Sequence, residues 1–178
     1  MRFLSGRSKL TKALMTVTAV AVTATAGIFV GVGVANAGQT QSNAQVNSVS
    51  FATKTDTAAF QTSSTSWVTL TSLTVTSAFN MNTVIVRFSA NTKCGGTSDG
   101  WCTVRIINAS NGAEMEPAAG TNFSWQFEGG NETWGARSMD RIVNNQSTTS
   151  FTLSVQVAVV NGANLFRLQN WTVVAQMY

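Results

Sequence analysis

Apolar and polar residues alternate at period two along much of this chain, and that repeat builds strands with one dry face. Val84, Val86, Phe88 and Ala90 alternate with Ile85, Arg87, Ser89 and Asn91, while Cys102, Val104 and Ile106 alternate with Trp101, Thr103 and Arg105. Phe151, Leu153, Val155, Val157 and Val159, interleaved with Thr152, Ser154, Gln156 and Ala158, give the cleanest strand. The alternation breaks twice. The apolar set moves from Val68 and Leu70 to Leu73 and Val75, and again from Phe166 and Leu168 to Trp171 and Val173, which predicts a bulge or bend in each strand. Turn signals stand at Asn111-Gly112, Gly129-Gly130 and Asn161-Gly162, and the last predicts a tight hairpin between its two neighbours. No segment carries a helical period. About eight to ten short strands in one domain fit an all-β fold, a two-sheet β-sandwich that is jelly-roll-like before it is immunoglobulin-like.

Arg2, Arg7, Lys9 and Lys12 precede an uncharged stretch that closes on Ala35-Asn36-Ala37, a small-x-small cleavage pattern. Residues 1–37 therefore read as a Sec-type signal peptide, 38–49 as a flexible polar leader and 50–178 as the sandwich domain. The rival reading, an uncleaved membrane anchor, is weakened by the threonines and glycines that dilute the run. Of eleven Lys and Arg residues four lie in that first segment, which leaves seven against seven acids in the remainder. A neutral mature chain has no basic field for nucleic acid, and none for the membrane surface once the signal is cleaved. The two cysteines, Cys94 and Cys102, predict a disulfide in an exported chain. Its short span predicts a locally closed loop that does not pin one sheet to the other.

Histidine is absent, which excludes Ser-His-Asp and Cys-His nucleophilic systems and His-ligated zinc. Carboxylate pairs are what remains for catalysis: Glu114 and Glu116 at i, i+2, followed by Glu128, Glu132 and Asp140. Exposed solubilising charge is their simpler use. Calcium held by Asp99, Asp140 or Glu128 lacks any Asp-rich spacing, so no metal and no cofactor is expected. Tryptophan is the stronger signal, because flat aromatic faces with Asn, Gln and Arg beside them suit sugar rings. Trp67 and Trp171 sit in strong strand patterns and read as core. Trp101, Trp125 and Trp134, with Arg137 and Arg141, form the candidate ligand site, placed on the Cys94–Cys102 loop and the segment 125–137.

The segments 86–94 (VRFSANTKC), 101–106 (WCTVRI), 114–117 (EMEP), 138–141 (SMDR) and 166–171 (FRLQNW) resemble a group of exported actinobacterial proteins. The resemblance covers most of residues 60–178 and implies a secreted jelly-roll domain of unassigned function, with no catalytic residue carried over. Acids precede the closing tryptophan in that group, where this chain has Gln169 and Asn170. The expected function is a secreted, non-enzymatic binding module for carbohydrate or a cell-envelope component. The alternatives are a self-associating surface protein, a homo-oligomer, and a small carboxylate-dependent glycoside hydrolase.

Overall fold

The computed structural model describes residues 31–32, 39–46, 48–96, 100–118, 123–127 and 133–178. Its strands are β1 (Gly31–Val32), β2 (Gln39–Val46), β3 (Val49–Asp56), β4 (Phe60–Thr62), β5 (Val68–Met81) and β6 (Val84–Gly96), then β7 (Trp101–Asn108), β8 (Gln126–Phe127), β9 (Gly135–Val143), β10 (Thr148–Val160) and β11 (Ala163–Met177). A seven-stranded sheet runs β1-β2-β3-β11-β6-β9, with β4 beside β11, and a four-stranded sheet runs β5-β10-β7-β8. From β4 onward the chain crosses from one sheet to the other at every connection but that of β7 to β8. Interleaving 3-11-6-9 against 5-10-7-8 in antiparallel pairs is the double Greek key of a jelly roll.

The alternating residues do what their period predicts. Val84, Val86 and Phe88 of β6 and Leu153, Val155 and Val157 of β10 are fully buried and meet between the sheets in one core cluster with Phe166, Leu168 and Trp171 of β11. Both breaks in alternation are register shifts. The β5–β10 ladder slips between Thr71↔Val155 and Thr69↔Gln156, leaving Leu70 as the extra residue. The β11–β6 ladder slips between Gln169 and Thr172, where Asn170 takes a φ of 49°. That bend lets one edge of β11 pair with β4 over Phe166–Leu168 and then with β3 over Trp171–Met177.

Three expectations are corrected. Asn161 and Gly162 take the positive φ values of a tight turn, 49° and 88°, but the strands they join lie in different sheets, so the turn is an arch and no hairpin. Cys94 lies on β6 and Cys102 on β7, so the disulfide does join the two sheets, with a Cα–Cα distance of 5.8 Å. Few residues separate the cysteines, yet they span the sandwich because the connection between them is itself a crossover. Finally, the polar residues assigned to a flexible leader carry β2, paired with β3 from Gln39↔Asp56 to Val46↔Val49. An edge ladder is made by backbone groups and needs no apolar face of its own; Ser42 and Thr53 also share a 2.6 Å hydroxyl contact. The signal-peptide segment, apart from Gly31–Val32, lies outside the described residues.

Because the bridge closes a short loop, the paired change of Cys94 and Cys102 to alanine is expected to lower stability by about 2–3 kcal/mol while leaving the fold intact. Thermal melting of the variant against the parent, with far-UV circular dichroism at low temperature, checks both halves. An unfolded variant would mean that the bridge, and not the core, holds the sheets together.

Candidate functional site

The disulfide end of the sandwich gathers most of the residues singled out from sequence. Trp101 opens β7 opposite Phe127 of β8, and Gln126 pairs with Cys102. Gln126 accepts a hydrogen bond from the Thr92 hydroxyl and donates to the Thr133 carbonyl, so it ties β6, β8 and the start of β9 together. Trp134 is exposed here, and Arg137 is exposed two residues into β9. The side chains of the other two candidates turn inward. Trp125 is 5% exposed, its ring 5.7 Å from that of Phe88, so its face serves the core. Arg141 is also buried, its guanidinium 5.3 Å from the Phe123 ring centre while Nη1 donates to the Asp140 carbonyl at 2.8 Å. Burial pulls its pKa down, opposed by Glu114 and then Asp140.

A second arrangement, missed by the sequence reading, lies on the outer face of the four-stranded sheet. The Leu70 bulge inverts the facing of the residues before it, so Thr69 points outward in phase with Ser72 and Thr74. Trp67, just ahead of β5, stacks on Arg105 of β7, whose guanidinium carbon lies 4.3 Å from the ring centre. Arg105 Nε donates to Gln156 Oε1 at 2.8 Å, and Gln156 Nε2 donates to Thr69 Oγ1 at 3.4 Å. Hydroxyl pairs continue the row along the sheet: Ser72 with Ser154 at 2.8 Å and Thr74 with Thr152 at 2.9 Å. In the other direction Thr103 shares the outward register of Arg105 but is fully buried, and Trp101 beyond it is half-buried. Partial burial lowers the Arg105 pKa, opposed by Glu114, and the group remains a cation at neutral pH. The outcome is a strip with tryptophan at its head and hydroxyl, amide and guanidinium groups behind it.

The sequence signal for this strip is the run Thr69, Ser72, Thr74, Thr76 on one strand against Ser150, Thr152, Ser154, Gln156 on the other. Among the carboxylates, Asp140 is bound to Arg87 at 2.8 Å, Glu116 Oε2 accepts from the Ala118 amide, and Glu114 lies near enough to Arg105 and Arg141 to oppose in part the lowering of their pKa values by burial. Glu128, Glu132 and Asp99 lie outside the described residues. Among the described residues no group of three or more His, Cys, Asp or Glu side chains is placed to hold a metal. Nor is any described helix long and apolar enough to cross a membrane.

The fold defines the class: a disulfide-bridged jelly-roll β-sandwich. No protein-family model and no curated protein matches the sequence. Among solved structures, one of infectious bursal disease virus, Gx strain, superposes over 74% of this chain at 9% identity with a TM-score of 0.51. The chain spans 33% of that structure's length, and the likeness is one of fold. A cyanophage capsid asymmetric unit (94% of this chain, 99% of that chain, 11% identity) and a xylan-binding domain from Paenibacillus barcinonensis (85% and 83%, 13% identity) match at TM-scores of 0.35 and 0.22, too low to carry an argument.

Proposed function

We propose that the chain is an exported, non-enzymatic binding module that engages a polysaccharide or another cell-envelope glycan along the outer face of its four-stranded sheet. The observation that carries the reading is the continuous run Trp67–Arg105–Gln156–Thr69, extended by the Ser72–Ser154 and Thr74–Thr152 hydroxyl pairs. A sugar ring offers C–H faces to an aromatic ring and hydroxyls to its surroundings, and this strip supplies the complement of both. From the Arg105–Gln156–Thr69 row, where Trp67 stacks, to the Thr152–Thr74 row the strip runs four residues of β10, roughly 14 Å at ~3.4 Å per residue, a length that suits a short oligosaccharide better than a single sugar. Export fits a disulfide that needs an oxidising compartment, together with the Ala35-Asn36-Ala37 cleavage pattern and the resemblance to exported actinobacterial proteins.

A screen of the purified protein against glycans and cell-wall polysaccharides, read by tryptophan fluorescence, tests the reading. Saturable binding is expected in the parent and in Trp134→Ala. In Trp67→Ala it should weaken at least tenfold, about 1.4 kcal/mol. Near-parental melting of Trp67→Ala secures the comparison. Absence of glycan binding in the parent, or full affinity in Trp67→Ala, would overturn the assignment.

A further inference from the structure

We infer that the cavity at the far end of the glycan strip, between the turn 108–112 and the arch 144–148, seats the terminal sugar of the chain as a neutral ring held by hydroxyl and amide groups. This rests on the glycan reading above and adds to it the place where the chain stops. The cavity arises because β10 outlasts its neighbour. β7 pairs with β10 from Trp101↔Val160 to Asn108↔Leu153, whereas β10 continues along β5 as far as Thr148. Past Leu153 the Ala109 amide still donates to the Thr152 carbonyl at 2.9 Å, and the chain then turns away through Gly112, whose amide donates to the Asn108 carbonyl at 2.9 Å. Backbone groups recur on one side of a strand every second residue, so the N–H and C=O of Ser150 face the side that β7 has left. The Thr148 hydroxyl stands in for a strand there, accepting from the Ser150 amide at 3.1 Å and donating to the Ser150 carbonyl at 2.8 Å.

The cavity has a volume of about 270 Å³, at the small end of ligand sites that run from ~300 to 1,000 Å³, which gives room for one ring and not for a chain. Six of the seven residues lining it are polar and uncharged, and Phe151 is the seventh. Thr152 belongs to strip and cavity alike, because its hydroxyl pairs with Thr74 as the last rung of the strip. Ser150 follows it on the same face of β10, so a glycan lying along Gln156, Ser154 and Thr152 runs into the cavity. Hydrogen-bonding capacity is left over in its wall. Asn108 Nδ2 gives one hydrogen to Gln146 Oε1 at 3.3 Å and keeps the second, while its Oδ1 accepts from the Ser110 hydroxyl at 2.5 Å and the Ser110 amide at 3.0 Å. Ser110 Oγ and Gln146 Oε1 keep lone pairs, and the hydroxyl of the exposed Ser150 both donates and accepts. A wall with donors and acceptors together suits a ligand hydroxyl, which is both. A charged ligand would find no counter-charge among the lining residues. On the side away from the strip the arch is tied down, the Gln146 amide donating to the Asn82 carbonyl at 3.2 Å and Gln146 Nε2 to the Asn144 carbonyl at 3.0 Å, so the glycan ends here.

Amide resonances of the purified protein, followed by NMR, test the seat with glucose, galactose, mannose and N-acetylglucosamine, each as the single sugar and as its linear tetramer, and with glucuronate and galacturonate. At least one neutral single sugar should shift the Ser110, Thr148 and Ser150 amides saturably, with Kd in the millimolar range, and its tetramer should bind at least tenfold more tightly. Ser110→Phe and Ser150→Phe fill the cavity from exposed positions on its two walls. Each should abolish the single-sugar shifts and weaken the tetramer at least tenfold, with a melting temperature near the parent's showing that it is folded. Trp67→Ala, at the other end of the strip, should leave the single-sugar shifts unchanged and weaken only the tetramer. Tetramer binding that falls in Trp67→Ala and survives in both cavity variants would overturn the seat while the strip stands. No binding of any sugar would overturn both. Single-sugar binding at the cavity with full tetramer affinity in Trp67→Ala would overturn the chain-end role, and saturation by the uronates alone would overturn the neutral assignment.

Discussion

Replacing Trp171 with alanine should remove about 3–5 kcal/mol of stability, a large part of what a domain this size has to spare. The side chain is 1% exposed and heads the fully buried residues by size. It stands immediately after Asn170, whose positive φ marks the point where β11 bends and changes its neighbour from β4 to β3. Truncation empties the core where the strand with the most partners turns, and a bent backbone tied to β3 and β6 has little freedom to collapse into the void. Trp171→Phe keeps most of the apolar volume and should cost less than half as much. Urea denaturation checks both: parallel slopes with shifted midpoints are expected, a shift on the order of 10–15 °C should appear in thermal melts, and a loss under about 1 kcal/mol for Trp171→Ala would mean the ring is not packed as described.

The sequence shows which face of each strand is dry, and for a stated reason does not show which sheet the strand joins. Period two fixes the inward set of β6 and β10 from the residues alone, and both breaks in period fall on the register shifts at Leu70 and near Asn170. Asn161-Gly162 has the conformations its residue types predict. Nothing in that dipeptide distinguishes a hairpin from an arch, because sheet membership is decided by strands far away in sequence. The same ignorance makes the Cys94–Cys102 bridge look local when its ends belong to opposite sheets. For the candidate site the difficulty is one of facing. Trp67 reads as core if alternation is carried back from Val75 without the extra residue at Leu70; with it, Thr69 turns outward and the tryptophan reaches Arg105. Trp125 offers no alternation to judge by, and the Phe88 ring that claims it lies on a strand of the other sheet. Arg141 follows the inward parity of Met139, and a charged residue at an inward position is legible as buried only once Phe123 and the Asp140 carbonyl are seen to hold it.

Gly96→Ala and Gly100→Ala should each destabilise the protein by about 2–4 kcal/mol, through crowding between two arches. A Cβ on Gly100 would sit 2.3 Å from the Ala163 nitrogen and 2.7 Å from its Cα; one on Gly96 would sit 2.5 Å from the Ala163 Cα and 2.6 Å from the Gly162 carbonyl oxygen. These are backbone atoms, so no side chain can swing aside. Gly96 also has a φ of 146°, a conformation that side chains rarely adopt. The connection carrying both glycines runs from β6 to β7, and the one it presses against runs from β10 to β11; each passes from one sheet to the other. Close approach of the two arches is what draws the sheets together at this end, and Cys94 and Cys102, on the flanks of the first arch, are joined there. Gly112→Ala separates the two causes, since Gly112 has a φ of 72° but nothing within 4 Å of an added Cβ. It should cost only about 1–2 kcal/mol, the backbone share alone. Melting curves on the three variants give the ranking. If Gly100→Ala melts with the parent, the arches do not touch as described, and the disulfide must be credited with closing this end of the sandwich by itself.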